Sequence, residues 1–305
     1  MRWKKFGQIY SPHRDHPQAI SHASMPIPFE IQEGLVRVFH ASRDISNRSH
    51  IWSIDIKLVG DKWQVIEGSL NLLLKPGPAG HFDDCGVYPS SIVILDDAIY
   101  LYYIGWVSGA TNPMFYANVG LAISKDNGNT FYKYSHAPIF GRDEVDPWMT
   151  TSPFVLKENE IWKMWYVSGS HWDTTTEPWK SYYHIKYASS PNGITWEKAN
   201  TICLPLKKGE HHISRTFVFK DKNTYRSLFG LNSGQGYKLK SASSKDGITW
   251  KRDNNYFYGF EESLDIWEKK AQTYPHLIKI NDRNFIFYNG NDFGKSGFGI
   301  MERID

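Results

Sequence analysis

Three stretches of the chain read alike: GLAISKDNGNTFYKY (120–134), IKYASSPNGITWEKA (185–199) and LKSASSKDGITWKRD (239–253). Each is a strand ending in Ala-x-Ser, followed by an Asp or Asn and a Gly. A second strand then opens on a large aromatic, Phe131, Trp196 or Trp250. Strand residues on both sides of an Asp/Asn-Gly turn, where glycine supplies a positive φ, specify a β-hairpin. A weaker copy, HIWSIDIKLVGDKWQVI (50–66), places Trp63 after Gly60-Asp61. The last copy is split between the ends of the chain. FGIMERID (298–305) aligns with VGLAISKD (119–126) and stops where the turn should begin, and MRWKKFGQIY (1–10) resumes with Trp3.

From aromatic to aromatic the spacings are 60, 68, 65 and 54, and 58 through the ends, so five units of similar length consume the sequence. Another pair of strand-like runs precedes each hairpin, for example SSIVILDDAIYLYYIGW (90–106) and YPHLIKINDRNFIFYNGN (274–291). The period predicts an all-β, five-bladed β-propeller with four antiparallel strands per blade, in which radial repetition protects the sheet edges. Residues 1–305 then form a single domain whose fifth blade is completed by the N-terminal strand, residues 1–10. An irregular pair of β-sandwiches is the alternative architecture.

The composition agrees. Aromatic residues make up 15% of the 305 residues, hydrophobic residues 41% and charged residues 22%, which is globular and strand-rich. A net charge of +3 with no dense Lys/Arg run leaves no footprint for nucleic acid. No apolar stretch is long enough to span a bilayer, and the basic N-terminus lacks an apolar signal core, so the expected location is cytoplasmic. Two cysteines, Cys85 and Cys203, fit free thiols in a reducing compartment. Neither a metal cage nor a cofactor motif is expected.

In a propeller the innermost strands line a central channel, and the residues just before them gather at one face. Those positions hold His22, then Asp83 and Asp84, then Asp143, Glu144 and Asp146, then Glu210, His211, His212 and Arg215, and last Glu268, Gln272 and Tyr274. A carboxylate recurs there in four of the five units, which suggests a shared pocket around Asp84, Asp146 and Glu210. Each also has a bland reading: a turn cap for Asp83 or Asp84, a solvated loop for Asp143 and Glu144, an interior histidine for His212. A second cluster, RDISNRSHI (43–51), offers Arg43 and Asp44 as a clamp for a hydroxyl or an anion, or as an ordinary ion pair. Asn289 and Asn291 add amides near the same face.

The chain resembles the five-bladed propellers of glycoside hydrolase families 43 and 32, with the family 130 mannoside phosphorylases as cousins. It is most similar to a bacterial subgroup associated with surface-polysaccharide gene clusters. The resemblance is carried by the W-K-K-x-G-x-I opening, Ser21-His22-Ala23, RDISNRSHI (43–51), FDDCGV (82–87), YYIGW (102–106) and YNGN (288–291). It implies a glycoside hydrolase-like enzyme acting on a glycan or activated sugar, in which a pair of carboxylates flanks the scissile bond. By blade position Asp84, Asp146 and Glu210 would be the catalytic carboxylates. His22, Arg43, Asp44, Asp83, His211, Arg215, Glu268, Tyr274, Asn289 and Asn291 would bind substrate. The chain departs from the pattern in lacking the W-x-N-D-P-N-G opening and in placing His22 where family 43 has an aspartate. The alternatives are therefore a sugar-phosphate or nucleotide-sugar transferase or hydrolase, and a non-catalytic carbohydrate-binding propeller. The resemblance also implies a carbohydrate or activated-sugar substrate, and a place as a domain or partner within a polysaccharide synthesis system. If residues 1–10 complete the last blade, deleting them lowers the midpoint of thermal unfolding by many degrees. An unchanged melting curve would exclude the split repeat.

Overall fold

The computed structural model of the chain describes residues 3–12, 14, 16–111, 114–253, 256–257 and 264–304. The architecture is almost entirely β. Strands β1 (Trp3–Tyr10), β2 (Ser21–Gln32), β3 (Leu35–Arg43) and β4 (Ser49–Val59) are followed by the short β5 (Lys62–Val65) and β6 (Asn71–Leu74), which both pair with β4. Next come β7 (Gly86–Ile94), β8 (Ile99–Ser108), β9 (Phe115–Ser124) and β10 (Tyr132–Lys133), an antiparallel meander. A second meander runs through β11 (Thr150–Glu158), β12 (Ile161–Asp173), β13 (Lys180–Ser190) and β14 (Glu197–Leu204). After the two-residue β15 (His212–Ile213), β16 (Phe217–Asp221), β17 (Thr224–Asn232), β18 (Tyr237–Ser244) and β19 (Lys251–Asp253) repeat the pattern. The chain closes with β20 (Thr273–Ile280), β21 (Arg283–Asn289), the turn α1 (Asn291–Gly294) and β22 (Phe298–Arg303). The strands form three sheets, and single parallel pairings, Ser49 with Gly86 and Tyr183 with His212, join successive meanders within the two larger ones. The N-terminal β1 lies antiparallel to the C-terminal β22, Trp3 opposite Arg303.

The repeated hairpin has a local cause and a long-range use. Ser124, Ser190 and Ser244 each accept the amide of the turn glycine, Gly128, Gly193 or Gly247, at 2.9 Å. Asp126, Asn192 and Asp246 each accept two later amides, at 2.8 to 3.1 Å. The Thr130 hydroxyl, together with these bonds, holds the Asp126 carboxyl down at about 2. The glycine carbonyl then receives a donor from the preceding meander: Arg37 to Gly128, Tyr102 to Gly193 and Trp165 to Gly247. A Cβ on Gly193 would stand 2.7 Å from the Tyr102 hydroxyl, and φ there is 75°, so only glycine fits both the turn and the contact. Apolar rings fill the same seams; Tyr102, Val119, Val155, Trp162 and Met164 belong to one buried cluster between two meanders.

The innermost strands meet at the axis, and proline shapes them. Pro26, Pro89, Pro153 and Pro275 sit at ladder irregularities in β2, β7, β11 and β20. Proline brings no N–H, and a bulge is where a strand accepts one. The corresponding position before β16 is Arg215, which is fully buried. Its guanidinium donates to the carbonyls of Pro26, Ser90, Tyr274 and Pro275 at 3.0 to 3.4 Å, while Ser90 Oγ donates to Pro153 O at 2.7 Å. Burial pulls the Arg215 guanidinium down to about 9. One side chain thus supplies donors that four prolines cannot. Replacing it by methionine leaves four buried carbonyls without that donor, at about 1 kcal/mol or more each. Arg215→Met should lose about 4 kcal/mol in denaturant unfolding, and Arg215→Lys, which reaches fewer acceptors, an intermediate amount. Wild-type stability in the methionine variant would remove the axial role.

Candidate functional site

A cavity of about 500 Å³ opens over the inner strands, and its walls come from every meander. Five wall residues occupy one phase, immediately before the prolines and Arg215: Met25, Tyr88, Ser152, Ser214 and Tyr274. Three of these hold left-handed backbone, Met25 at φ 58°, Ser152 at 48° and Tyr274 at 53°. Non-glycine residues rarely adopt it, and such conformations collect at ligand sites. The strand bulges therefore aim these side chains into the cavity.

Rings and hydroxyls dominate the rest of the wall. Trp106 and Phe115 give flat apolar faces, and Phe293, in the left-handed turn α1, stands at the rim. Tyr183 stacks on His212 with ring centroids 4.3 Å apart, and its hydroxyl bonds to that of Tyr237. Burial raises the Tyr183 phenol to about 12 and pushes Tyr274 up further. His212 lies 2.7 Å from the Ser181 carbonyl through Nε2, which fixes the proton on that nitrogen, and burial holds the ring down at about 4. The cavity cation is Arg43. Its Nε and Nη2 donate to the Tyr88 oxygen at 3.1 and 2.8 Å, and Nη1 donates to Asn47 at 2.8 Å.

The recurring carboxylates lie elsewhere: none of Asp84, Asp146 and Glu210 lines the cavity, and no other described carboxylate does. Asp84 accepts the Gly80 amide and caps its own turn. Asp146 is fully buried between Tyr166, Ser168, Lys186 and Lys198 at 2.6 to 3.1 Å. Burial works to raise its carboxyl, and Ser168, Lys186 and Tyr166 outweigh that and hold it below the usual range. Glu210 pairs with Arg252 at 2.5 Å beside a separate recess lined by Lys207 and Lys240.

The same pattern recurs around Asp83, which takes the Tyr103 hydroxyl and Lys133, and around Glu268, which takes Tyr288 and Lys5. In all three tyrosine-bound cases the tyrosine follows its acid by 20 residues. Lys133, Lys198 and Lys5 each come two places after the hairpin aromatic, on the outermost strand. The common phase thus marks a buried acid that ties an inter-strand loop to both the second and the last strand of its meander. Asp83 and Glu268, expected to bind substrate, are thus engaged by a tyrosine and a lysine and lie outside the cavity lining.

The remaining expectations divide. Arg43 and Tyr274 line the cavity, whereas Arg215 is sealed beneath it. His22 is buried outside the lining, and its ring is pulled down to about 4 by burial, by Arg43 and by Lys295. Asp44 accepts from Ser46, Arg48 and His50 and so shapes the loop carrying Asn47. His211 packs edge-on to Tyr182 beside His212. Asn289 holds the backbone of Met25 and Ala23, and Asn291 ties residues 266, 270 and 271. Sequence reading missed Tyr88, Ser152, Ser181 and Tyr183. The signal for the first two was present as the residue before each inner proline.

Solved structures with this architecture include BT0996 in a complex with RGII, with a TM-score of 0.74 at 14% identity, covering 99% of this chain and 91% of that one. A glycosyl hydrolase from Bacteroides ovatus gives 0.69 at 13%, covering 97% and 91%. The Bombyx mori GH32 β-fructofuranosidase BmSUC1 gives 0.63 at 14%, covering 95% of this chain and 62% of that one. The fold is therefore that of the glycoside hydrolase-like propellers. No family model matches the chain. It belongs to the family of the uncharacterized protein Rv1502 of Mycobacterium tuberculosis, with 33% identity over 302 residues that cover 98% of each protein.

The buried acids make a prediction that separates structure from catalysis. Asp146→Asn leaves Lys186 and Lys198 without their charge partner, and breaking such a buried pair costs about 3 to 5 kcal/mol. The variant should unfold several degrees lower than wild type by calorimetry. A catalytic aspartate facing solvent would leave the midpoint unchanged.

Proposed function

We propose that residues 1–305 form one five-bladed propeller whose central cavity is a carbohydrate site, and that the site does not hydrolyse unactivated glycosidic bonds. The observation that carries this reading is the lining: Trp106, Phe115, Tyr88, Tyr183 and Tyr274 with serine hydroxyls, and no carboxylate among the described residues. Flat rings beside hydroxyl donors suit the apolar faces and equatorial hydroxyls of a sugar. Hydrolysis of an ordinary glycoside by the two-carboxylate route needs one carboxyl group on each side of the bond, roughly 5 to 10 Å apart. Here the recurring acids are engaged by lysine, arginine or a turn amide. Fold alone does not set activity, so the hydrolase names of the structural neighbours support a carbohydrate ligand and no more.

The setting proposed is bacterial surface-polysaccharide metabolism, in a reducing cytoplasm where Cys85 and Cys203 stay as free thiols. A larger polysaccharide synthesis system is the matching partner. The reading is tested by tryptophan fluorescence with glucose, galactose, mannose and their disaccharides as probes. Binding should quench the signal, Trp106→Ala should weaken binding at least fivefold, and no disaccharide should be cleaved. Steady release of monosaccharide by the wild type, lost on replacing Glu210 or Asp84, would restore the carboxylate assignment and overturn this one.

A further inference from the structure

The cavity is built around positive charge that nothing nearby neutralises. Arg43 has no carboxylate partner among the described residues; it is held by a phenol and an amide. Arg215, directly behind Tyr274, has none either and is satisfied by main-chain carbonyls, with its Nε left unpartnered. The protein pairs other buried or half-buried cations with carboxylates, as Lys133, Lys186, Lys198 and Arg252 show. Two guanidiniums without a carboxylate partner, both near enough to Tyr274 to act on its phenol, therefore stand out. His212 and His22, both held down at about 4, add no charge at neutral pH, and His22 already senses Arg43 and Lys295.

The donors are also free in the right number. A guanidinium has five N–H groups, and Arg43 uses three of them, one on Nε and one on each terminal nitrogen. One N–H on each terminal nitrogen remains, two donors available to the oxygens of an anion. The Tyr88 oxygen accepts from Arg43 twice, so its own proton is left to donate. The Tyr274 hydroxyl makes no hydrogen bond to the described residues and faces the same space.

We infer that the cavity takes a sugar carrying an oxyanion, a phosphoryl or carboxylate group, whose oxygens are met by the free N–H groups of Arg43 and the hydroxyls of Tyr88 and Tyr274. This rests on the cavity being a sugar site and adds the charge of the ligand. Arg215 contributes through its field, as a buried cation screened by little solvent. Asp44 is a positioning residue: its carboxylate orders the loop that presents Asn47 to Arg43.

Calorimetric titration of the full chain at low ionic strength tests the inference with four probes: glucose, glucose 1-phosphate, glucuronate and inorganic phosphate. At least one of the two anionic sugars should bind ten times more tightly than glucose and weaken as salt is added, and the tighter of the two identifies the group. Arg43→Gln should lose at least tenfold for that probe and less than twofold for glucose. Tyr274→Phe, which removes only a hydroxyl, should lose severalfold and guards against a misfolded arginine variant. Glucose binding as tightly as both anionic sugars, or an affinity indifferent to Arg43→Gln and Tyr274→Phe, overturns the oxyanion and leaves the carbohydrate reading standing. Inorganic phosphate binding as tightly as glucose 1-phosphate, with no glucose binding, supports the oxyanion and overturns the carbohydrate reading. No binding of either anionic sugar at millimolar concentration overturns the inference.

Discussion

The inner strands carry proline where a peptide donor would otherwise face a neighbour, so carbonyls accumulate at the axis with too few N–H groups to meet them. A buried carbonyl without a partner costs about as much as a lost hydrogen bond. Arg215 resolves the imbalance. Its planar fork reaches carbonyls on β2, β7 and β20 at once, which a lysine ammonium on a flexible stem would not do with comparable economy of ordering. Placing a lone cation in the interior is itself unfavourable, and the lowered basicity of Arg215 records that penalty. The arrangement persists because the same guanidinium satisfies strands that contribute to several meanders, and the shape of the cavity floor follows from it.

Around this centre each meander has to fix its outermost strand, which has a neighbour on one side only. The buried acid does so. In three meanders it draws a lysine from the last strand and a tyrosine from the second onto one carboxylate, and Glu210 keeps only the cationic partner, Arg252. The tyrosine is absent there because Gly230 occupies its place, packed against Ser214 and Thr273, where a Cβ would stand 2.8 Å from the Ser214 hydroxyl. The meander that supplies the axial arginine thus gives up its tyrosine for close packing beneath the cavity.

How much of this could be read from sequence depends on the range of the interactions. The hairpins were legible because their chemistry is local: a serine, an aspartate and a glycine within four residues make the whole turn. The split repeat was legible for the same reason, and β1 lies beside β22. The carboxylates were found at their common phase, but their meaning was not, because Asp83 meets a lysine 50 residues on and Glu268 one 263 residues away. A solvent-facing acid and a neutralised one look identical until those partners are placed. Arg43 and Tyr274 were recognised by type. Tyr88 and Ser152 escaped because the mark of the cavity wall was not residue type but a proline one residue later.

That proline also explains how the wall tolerates its backbone. A left-handed φ at a non-glycine residue costs about 1 to 3 kcal/mol, and Met25, Ser152 and Tyr274 each hold one. Proline fixes the next residue, the bulge relieves the ladder, and Asn289 grips the Met25 amide at 2.6 Å. The strain is met on the strand side, which sets the direction in which these residues leave the backbone toward the cavity. A ligand entering the cavity then meets groups that are already oriented, and little side-chain entropy remains to be lost on binding. Such a wall discriminates by shape and charge at fixed positions. That is why the free N–H groups of Arg43, braced by Tyr88 and Asn47, have more influence on what the cavity accepts than the larger number of carboxylates sealed in the meanders around it.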